Sequence, residues 1–258
     1  MTPPAPVSER RRQHIWVVLP AFNEEKSLPP LLDAIDESMF EAGLTYKVIV
    51  IDDGSSDHTF EIAQKAAERL PLIVERHGVN KGLGMTIRDG LVMAAKLADP
   101  KDLIVTMDAD NSHSPELIQR MVRLAREGHD VVIASRYRPG SRVRGVPLLR
   151  RILSYWGGWL FRVAFPIPGV RDYTCGYRAY RAALMQRVIE RDGQEFFDQE
   201  GFQCMVDILL KLRREPDLIF GEVPLVLRYD LKEGASKMRV LRTIRSTLGL
   251  MLARRLGR

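Results

Sequence analysis

Two pairs of carboxylates in this sequence stand where apolar, β-branched runs end. Val50-Ile51-Asp52-Asp53-Gly54-Ser55 puts Asp52 and Asp53 at the close of a buried strand, and Gly54 lets the backbone turn toward a ligand. Carboxylates placed there can accept hydrogen bonds from a base N–H or from ribose hydroxyls; an Asx-turn that merely ends a strand is the simpler alternative. Val105-Thr106-Met107-Asp108-Ala109-Asp110 repeats the arrangement further on. Asp108 and Asp110 can reach one hard cation from a tight turn, and Mg²⁺ or Mn²⁺ held by one or two carboxylates and completed by substrate phosphates is the usual chemistry of such pairs. Two acidic strand ends in one sheet make a pair of unrelated polar turns the weaker explanation.

Such turns need a scaffold that delivers several strand ends to one edge. Ile15 to Leu19 is a short apolar run stopped by Pro20, as a buried parallel strand would be. The pattern then predicts a helix over Lys26 to Phe40, a strand at Lys47 to Ile51, a helix from Asp57 to Leu70 with Asp57 as N-cap, and a strand at Leu72 to Glu75. Leu83 to Leu97 reads as helix, Leu103 to Met107 as strand, Ser114 to Arg126 as a helix with Pro115 at its first position, and Val131 to Ala134 as strand. Strands alternating with single helices imply the α/β class: a mostly parallel sheet with helices on both faces and ligands beyond the carboxyl ends of the strands.

After Ser135 the pattern changes to a Gly/Pro/Arg loop and an amphipathic segment from Leu148 to Val163. Helices near Ala179 to Glu190 and Gly201 to Arg213 and strands near Ile219 to Arg228 follow. No long polar linker divides the chain, so residues 14–238 are read as one domain, 1–13 as a flexible tail and 239–258 as a basic amphipathic helix.

The 258 residues with 45% hydrophobic content suit a packed core. Cys175 and Cys204 are the only cysteines and form no CxxC pair, which gives a disulfide framework or thiolate zinc site no support and suits a reducing cytosol. The start, Met1 to Arg12, lacks the apolar run of a signal peptide. Tyr155 to Val170 contains Arg162 and two prolines, a poor match to the ~20 apolar residues of a spanning helix. Net charge is +6, with arginines gathered in Arg136 to Arg151 and Arg239 to Arg258, which favours an anionic partner.

Pro20-Ala21-Phe22-Asn23-Glu24, Asp52-Asp53-Gly54-Ser55, Asn80-Lys81-Gly82-Leu83-Gly84 and Asp108-Ala109-Asp110 together resemble the motifs of family 2 inverting glycosyltransferases. Further motifs resemble the polyprenyl-phosphate sugar transferases of the dolichol-phosphate mannose synthase type. These are Asp108 to Glu116, Ser135-Arg136-Tyr137, Asp172 to Arg178, Gly221-Glu222-Val223-Pro224 and Gly234 to Met238. The resemblance runs from about Ile15 to Met238 and implies the GT-A (Rossmann-like) fold, a nucleotide-sugar donor such as GDP-mannose or a UDP-hexose, Mg²⁺ or Mn²⁺, and a polyprenyl-phosphate acceptor. By position it gives Pro20, Phe22, Glu24, Asp52, Asp53 and Lys81 to the donor, and Asp108, Asp110 and Ser112 to the metal. Arg228 and Lys237 fall to the donor phosphates, and Arg136 with Arg150 to the acceptor phosphate. Phe22 stands where a tyrosine is common, which keeps the ring and loses a hydroxyl, and Ser112 where some relatives carry a longer amide.

The acceptor side also reads from its own residues. Leu149, Ile152, Leu153, Trp156, Trp159, Leu160 and Val163 recur near helical spacing beside Arg136, Arg138, Arg142, Arg144, Arg150 and Arg151. That describes either a core-packed helix with a charged edge or a helix lying in an anionic membrane interface. The C-terminal stripe Val240, Leu241, Ile244, Leu248, Met251 and Leu252 among arginines repeats the design and reads as a membrane-surface tail, with packing against the domain or a partner helix as the alternatives. Together with the resemblance, the protein is expected at the cytoplasmic face of a membrane as a peripheral enzyme. A phosphate acceptor is largely ionised at neutral pH and needs orientation more than a general base, so Asp198, Glu200 and Asp207 are not assigned as one. A hydroxyl acceptor, by contrast, would require such a carboxylate. Nucleic acid is not an expected partner, since no aromatic-basic recognition motif is present and acidic strand ends repel phosphate unless a metal intervenes. A dinucleotide-dependent oxidoreductase fits less well still, because Asn80 to Gly84 lacks a full GxGxxG.

Overall fold

The structure is a computed structural model that describes residues 13–146, 157–229 and 249. Its first strand, β1 (His14–Ala21), forms around five consecutive buried apolar side chains, Ile15 to Leu19, as a strand covered on both faces requires. β2 (Thr45–Asp52), β3 (Leu72–Arg76), β4 (Leu103–Thr106), β5 (Val131–Ser135), β7 (Arg178–Arg181) and β8 (Phe220–Pro224) complete a sheet of order β3-β2-β1-β4-β7-β5-β8. Every neighbouring pair is parallel except those of β7, which runs antiparallel between β4 and β5. A small parallel pair, β6 (Arg142–Arg144) and β9 (Val226–Arg228), stands apart from it.

The helices are α1 (Leu28–Glu41), α2 (Thr59–Ala67), α3 (Leu83–Leu97), α4 (Leu117–Arg126), α5 (157–164), α6 (Ala182–Asp192) and α7 (Cys204–Leu212). The α/β alternation is as the sequence implies, but several boundaries move for local reasons. α1 starts at Leu28, where Pro29 and Pro30 occupy first-turn positions that need no N–H partner. α2 starts at Thr59, with His58 rather than Asp57 at the N-cap; Asp57 Oδ1 still accepts the Thr59 N–H, at 3.0 Å. α4 starts at Leu117, so Pro115 is not its first residue. The Ser114 carbonyl meets the Leu117 N–H at 3.3 Å and the Tyr177 hydroxyl at 3.0 Å, which commits Ser114 to a turn.

The helix expected near Ala179 to Glu190 is in fact β7 followed by α6. Arg178, Ala179 and Tyr180 are buried in the middle of the sheet, and the alanine-rich run conceals a four-residue strand in helix-like composition. β6 also went unanticipated. The tail 1–12, the 148–156 part of the expected amphipathic segment with Arg150, Lys237 and the whole C-terminal stripe lie outside the described residues.

Because β1, β2 and β4 are parallel, Ala21, Asp52 and Thr106 end at the same edge, and the chain beyond each strand is pinned there. The Asp53 N–H reaches the Ala21 carbonyl at 2.8 Å, the His77 N–H that of Asp52 at 2.8 Å, and the Met107 N–H that of Val18 at 3.2 Å. Two glycines permit the close approaches. Gly54, at φ 69°, would bring a Cβ within 2.7 Å of the Val79 carbonyl carbon, and a Cβ on Gly84 would overlap the Gln199 carbonyl oxygen.

Gly84 is the second residue of α3, where intrinsic propensity favours alanine by about 1 kcal/mol. Overpacking against a backbone carbonyl reverses the sign, so Gly84→Ala is expected to destabilise the protein by about 1 to 3 kcal/mol in urea titration. A neutral or stabilising result would contradict the described contact with Gln199.

Candidate active site

The turn after β1 is bound to the turn after β2 residue by residue. Asn23 adopts φ 52°, its N–H donates to Ser55 Oγ at 2.9 Å, and its own Oδ1 accepts the Ser56 N–H at 2.9 Å. The Glu24 N–H donates to Thr59 Oγ1 at 2.8 Å. Pro20, Phe22 and Glu24 are thereby held, half-buried, beside Asp52. Asp52 is fully buried; its Oδ1 accepts the Ser55 N–H at 3.2 Å. Its Oδ2 pairs in charge with Arg76 Nε at 3.2 Å yet accepts no hydrogen bond among the described residues.

Asp53 faces a different way. Its Oδ1 accepts the Lys81 N–H at 2.8 Å and its Oδ2 the Gly82 N–H at 2.9 Å, so its carboxylate shapes the glycine-rich loop and places the exposed Lys81. That loop is clasped from the other side by the 199–200 segment, through the Gly84 N–H and the Glu200 carbonyl at 2.8 Å.

The turn after β4 carries the second carboxylate pair. Asn111 takes φ 58°, and Asp110 Oδ1 accepts both the Ser112 N–H at 3.1 Å and the Ser112 hydroxyl at 2.5 Å. Asp110 and Ser112 are buried, while Asp108 is half-buried. The Ser112 carbonyl accepts the Arg228 N–H at 3.0 Å, and His113 stacks on Tyr177 with centroids 5.0 Å apart. β9 thus delivers Arg228 to the turn that carries Asp108, Asp110 and Ser112.

Among the described residues no cluster of three His, Cys, Asp or Glu side chains could enclose an ion by itself. The oxygen donors here instead fit a hard divalent cation that takes its remaining ligands from substrate. Cys175 and Cys204 do not compete for it, since burial pushes each thiol up to about 12 and keeps it protonated.

Beyond β5, Arg136 clasps Asp172 in a two-point pair, Nε to Oδ2 at 2.8 Å and Nη2 to Oδ1 at 2.7 Å, and Nη2 also reaches Thr174 Oγ1 at 2.5 Å. Burial raises the Asp172 carboxyl, but the Arg136 guanidinium and the surrounding N–H donors outweigh it and hold the group below the usual carboxylate range. Glu222 on β8 supports the turn from beneath, its Oε1 accepting the N–H groups of Arg171 at 2.6 Å and Asp172 at 2.7 Å. The motifs around Arg136, Asp172 and Glu222, separated along the chain, therefore form one assembly. The sequence flagged Asp172 and Glu222 only as parts of motifs, and nothing in it signalled His77 or Asp89, whose partners are remote in sequence. Of the carboxylates available as a base, Asp207 pairs with Lys211 Nζ at 3.0 Å and Asp198 with the same nitrogen at 3.2 Å.

The model of the family described as glycosyl transferase family 2 matches residues 16–189. A dolichol-phosphate mannosyltransferase of Pyrococcus furiosus is 32% identical over 198 residues, 76% of this chain and 52% of that relative, so the match spans about half the relative's length. A polyprenol monophosphomannose synthase of Mycolicibacterium smegmatis is 31% identical over 236 residues, 90% of this chain and 84% of the relative. In fold, the chain is similar to glucosyl-3-phosphoglycerate synthase from Mycobacterium tuberculosis, crystallised with Mn²⁺, UDP and glucosyl-3-phosphoglycerate. The TM-score is 0.64 at 24% identity, over 95% of this chain and 80% of that one, a likeness of the GT-A-like fold.

Asp172 is fully buried and the Arg136 side chain is 23% exposed, so removing the carboxylate charge strands a cation with little water. Asp172→Asn is expected to cost about 3 kcal/mol at neutral pH, the low end for a broken buried pair. A depressed folded-state pKa contributes stability above the unfolded value near 4 that is lost as pH falls through the folded value. The gap between wild type and variant in denaturant titrations should therefore close below about pH 4. A gap that persists unchanged at acid pH would contradict the charge pairing.

Proposed function

Because the chain belongs to glycosyl transferase family 2 and is a glycosyltransferase, we propose that it transfers a hexose, with inversion, from GDP-mannose or a UDP-hexose to a polyprenyl or dolichyl phosphate. The observation that carries this reading is the likeness to the polyprenol monophosphomannose synthase over most of both chains.

The residues divide the work between two anions. Pro20, Phe22, Glu24 and the unbonded edge of Asp52 line the nucleoside, and Asp53 sets the loop that presents Lys81. Asp108, Asp110 and Ser112 would hold Mg²⁺ or Mn²⁺, which supplies Lewis-acid neutralisation of the leaving diphosphate. Arg228, beside Ser112, and Lys237 meet the same phosphates. On the acceptor side, Arg136 and Arg150 take the lipid phosphate, Arg136 having its orientation fixed by Asp172. A phosphate oxygen of the acceptor attacks the anomeric carbon from the face opposite the diphosphate; the glycosidic C–O bond breaks and the nucleoside diphosphate departs with the electron pair. No proton has to be removed from an ionised phosphate, in keeping with the involvement of Asp198 and Asp207 with Lys211.

No helix among the described residues is long and apolar enough to cross a membrane. α5 nevertheless exposes Trp159, Leu160 and Val163, and Arg142 and Arg144 are exposed on β6. This combination of apolar and cationic surface suits a peripheral site on an anionic, cytoplasmic membrane face, where the lipid acceptor resides.

Incubating the protein with a panel of labelled nucleotide sugars, polyprenyl phosphate and Mg²⁺ or Mn²⁺ tests the reading. Label is expected in the lipid fraction, with chelator or Asp110→Ala lowering turnover by about a hundredfold or more, because the leaving charge is then unscreened. Full turnover of folded Asp110→Ala in excess chelator would refute the metal assignment.

A further inference from the structure

Behind the glycine-rich loop lies a side-chain cluster centred on the buried His77, which the mechanism leaves unused. His77 is 5% exposed, and each of its ring nitrogens meets a carboxylate: Nδ1 at 2.7 Å from Asp53 Oδ1 and Nε2 at 3.0 Å from Asp89 Oδ2. Asp89 lies on α3, and Arg88 Nε fixes its other oxygen at 2.7 Å. Asp53 is the same carboxylate that accepts the successive N–H groups of Lys81 and Gly82 at 2.8 and 2.9 Å. The contacts close a ring from the end of β2 through His77 into α3 and back through the loop.

A carboxylate can accept two consecutive backbone N–H groups only in a narrow range of rotation about its side-chain bonds, and a third partner selects within that range. We propose that His77 is the positioning residue of this loop: anchored by Asp89, it fixes the rotation of Asp53, which in turn fixes the backbone at Lys81 and Gly82. The consequence for the reaction rests on the donor reading above, in which Lys81 faces the nucleotide sugar. His77 itself touches no substrate. Its contribution belongs to the preorganisation of donor binding and not to the chemical step.

Two conservative variants separate positioning from simple packing, because each retains one half of the imidazole. His77→Asn keeps an amide N–H near Nδ1, directed at Asp53, whereas His77→Gln keeps one near Nε2, directed at Asp89. In His77→Gln, amide exchange at Lys81 and Gly82 should accelerate and the donor KM should rise by about tenfold, with kcat within about twofold of wild type. In His77→Asn, which keeps the contact with Asp53 and loses the anchor at Asp89, both should rise in the same direction but by no more than about threefold. If the two variants shift KM and exchange alike, in step with their melting temperatures, His77 is only a packing residue and the proposal falls. Should either variant fail to fold, Asp89→Asn removes the far anchor alone and is expected to raise donor KM and loop exchange in the same direction; unchanged values there overturn the proposal. If the wild type transfers no sugar, the functional reading fails by itself, while the exchange comparison still decides the role of His77.

Discussion

Carboxylates buried at the carboxyl edge of the sheet are the constraint around which the rest of the molecule is arranged. A carboxylate without water needs donors, and here each draws them from a different part of the chain. Asp53 takes backbone N–H groups from the loop before α3, Asp172 takes Arg136, and Asp110 takes Ser112. Satisfying these groups ties loops into fixed positions, so the electrostatic requirement of folding also preorganises the site. Asp52 and Glu222 each keep one buried oxygen without a hydrogen bond among the described residues, and that of Asp52 lies 3.2 Å from Arg76 Nε.

The second half of the chain answers to the same logic on the acceptor side. β7 inserts antiparallel between β4 and β5 and brings the 172–178 segment against the Asp108–Asp110 turn, where the Thr106 hydroxyl meets the Gly176 carbonyl at 2.7 Å. β8 brings Glu222 beneath the Asp172 turn, and β9 brings Arg228 to Ser112. The proposed donor and acceptor sides thus share a wall. Arg136, held by Asp172, and Arg228, held at Ser112, are the cations that the described residues bring to this edge of the sheet.

Much of this was legible in the sequence. The apolar runs of β1, β2 and β4 and the acidic residues after them stood out because parallel strands are continuous and their ends are abrupt. α3 falls at the expected Leu83–Leu97, since its apolar spacing is uninterrupted. β7 was hidden because Arg178 and Tyr180 are polar-capable residues buried by tertiary contacts, with Arg178 held by the Met205 and Tyr173 carbonyls at 2.6 and 2.8 Å. Tertiary context overrode composition there. The partnerships of Asp53 with the 81–82 backbone and of Glu222 with the 171–172 backbone were illegible for a related reason, namely that the donors are main-chain groups with no signature in side-chain sequence.

The central claim, that a phosphate is the nucleophile, is tested most directly by offering the wild-type protein a polyprenyl phosphate and the matching free polyprenol at equal concentration with labelled donor and metal. Transfer to the phosphate and none above background to the alcohol is expected, because the proposed acceptor site offers an anion an arginine and Asp198 and Asp207 pair with Lys211. Comparable glycosylation of the free polyprenol would overturn the phosphate assignment and require a carboxylate acting as general base.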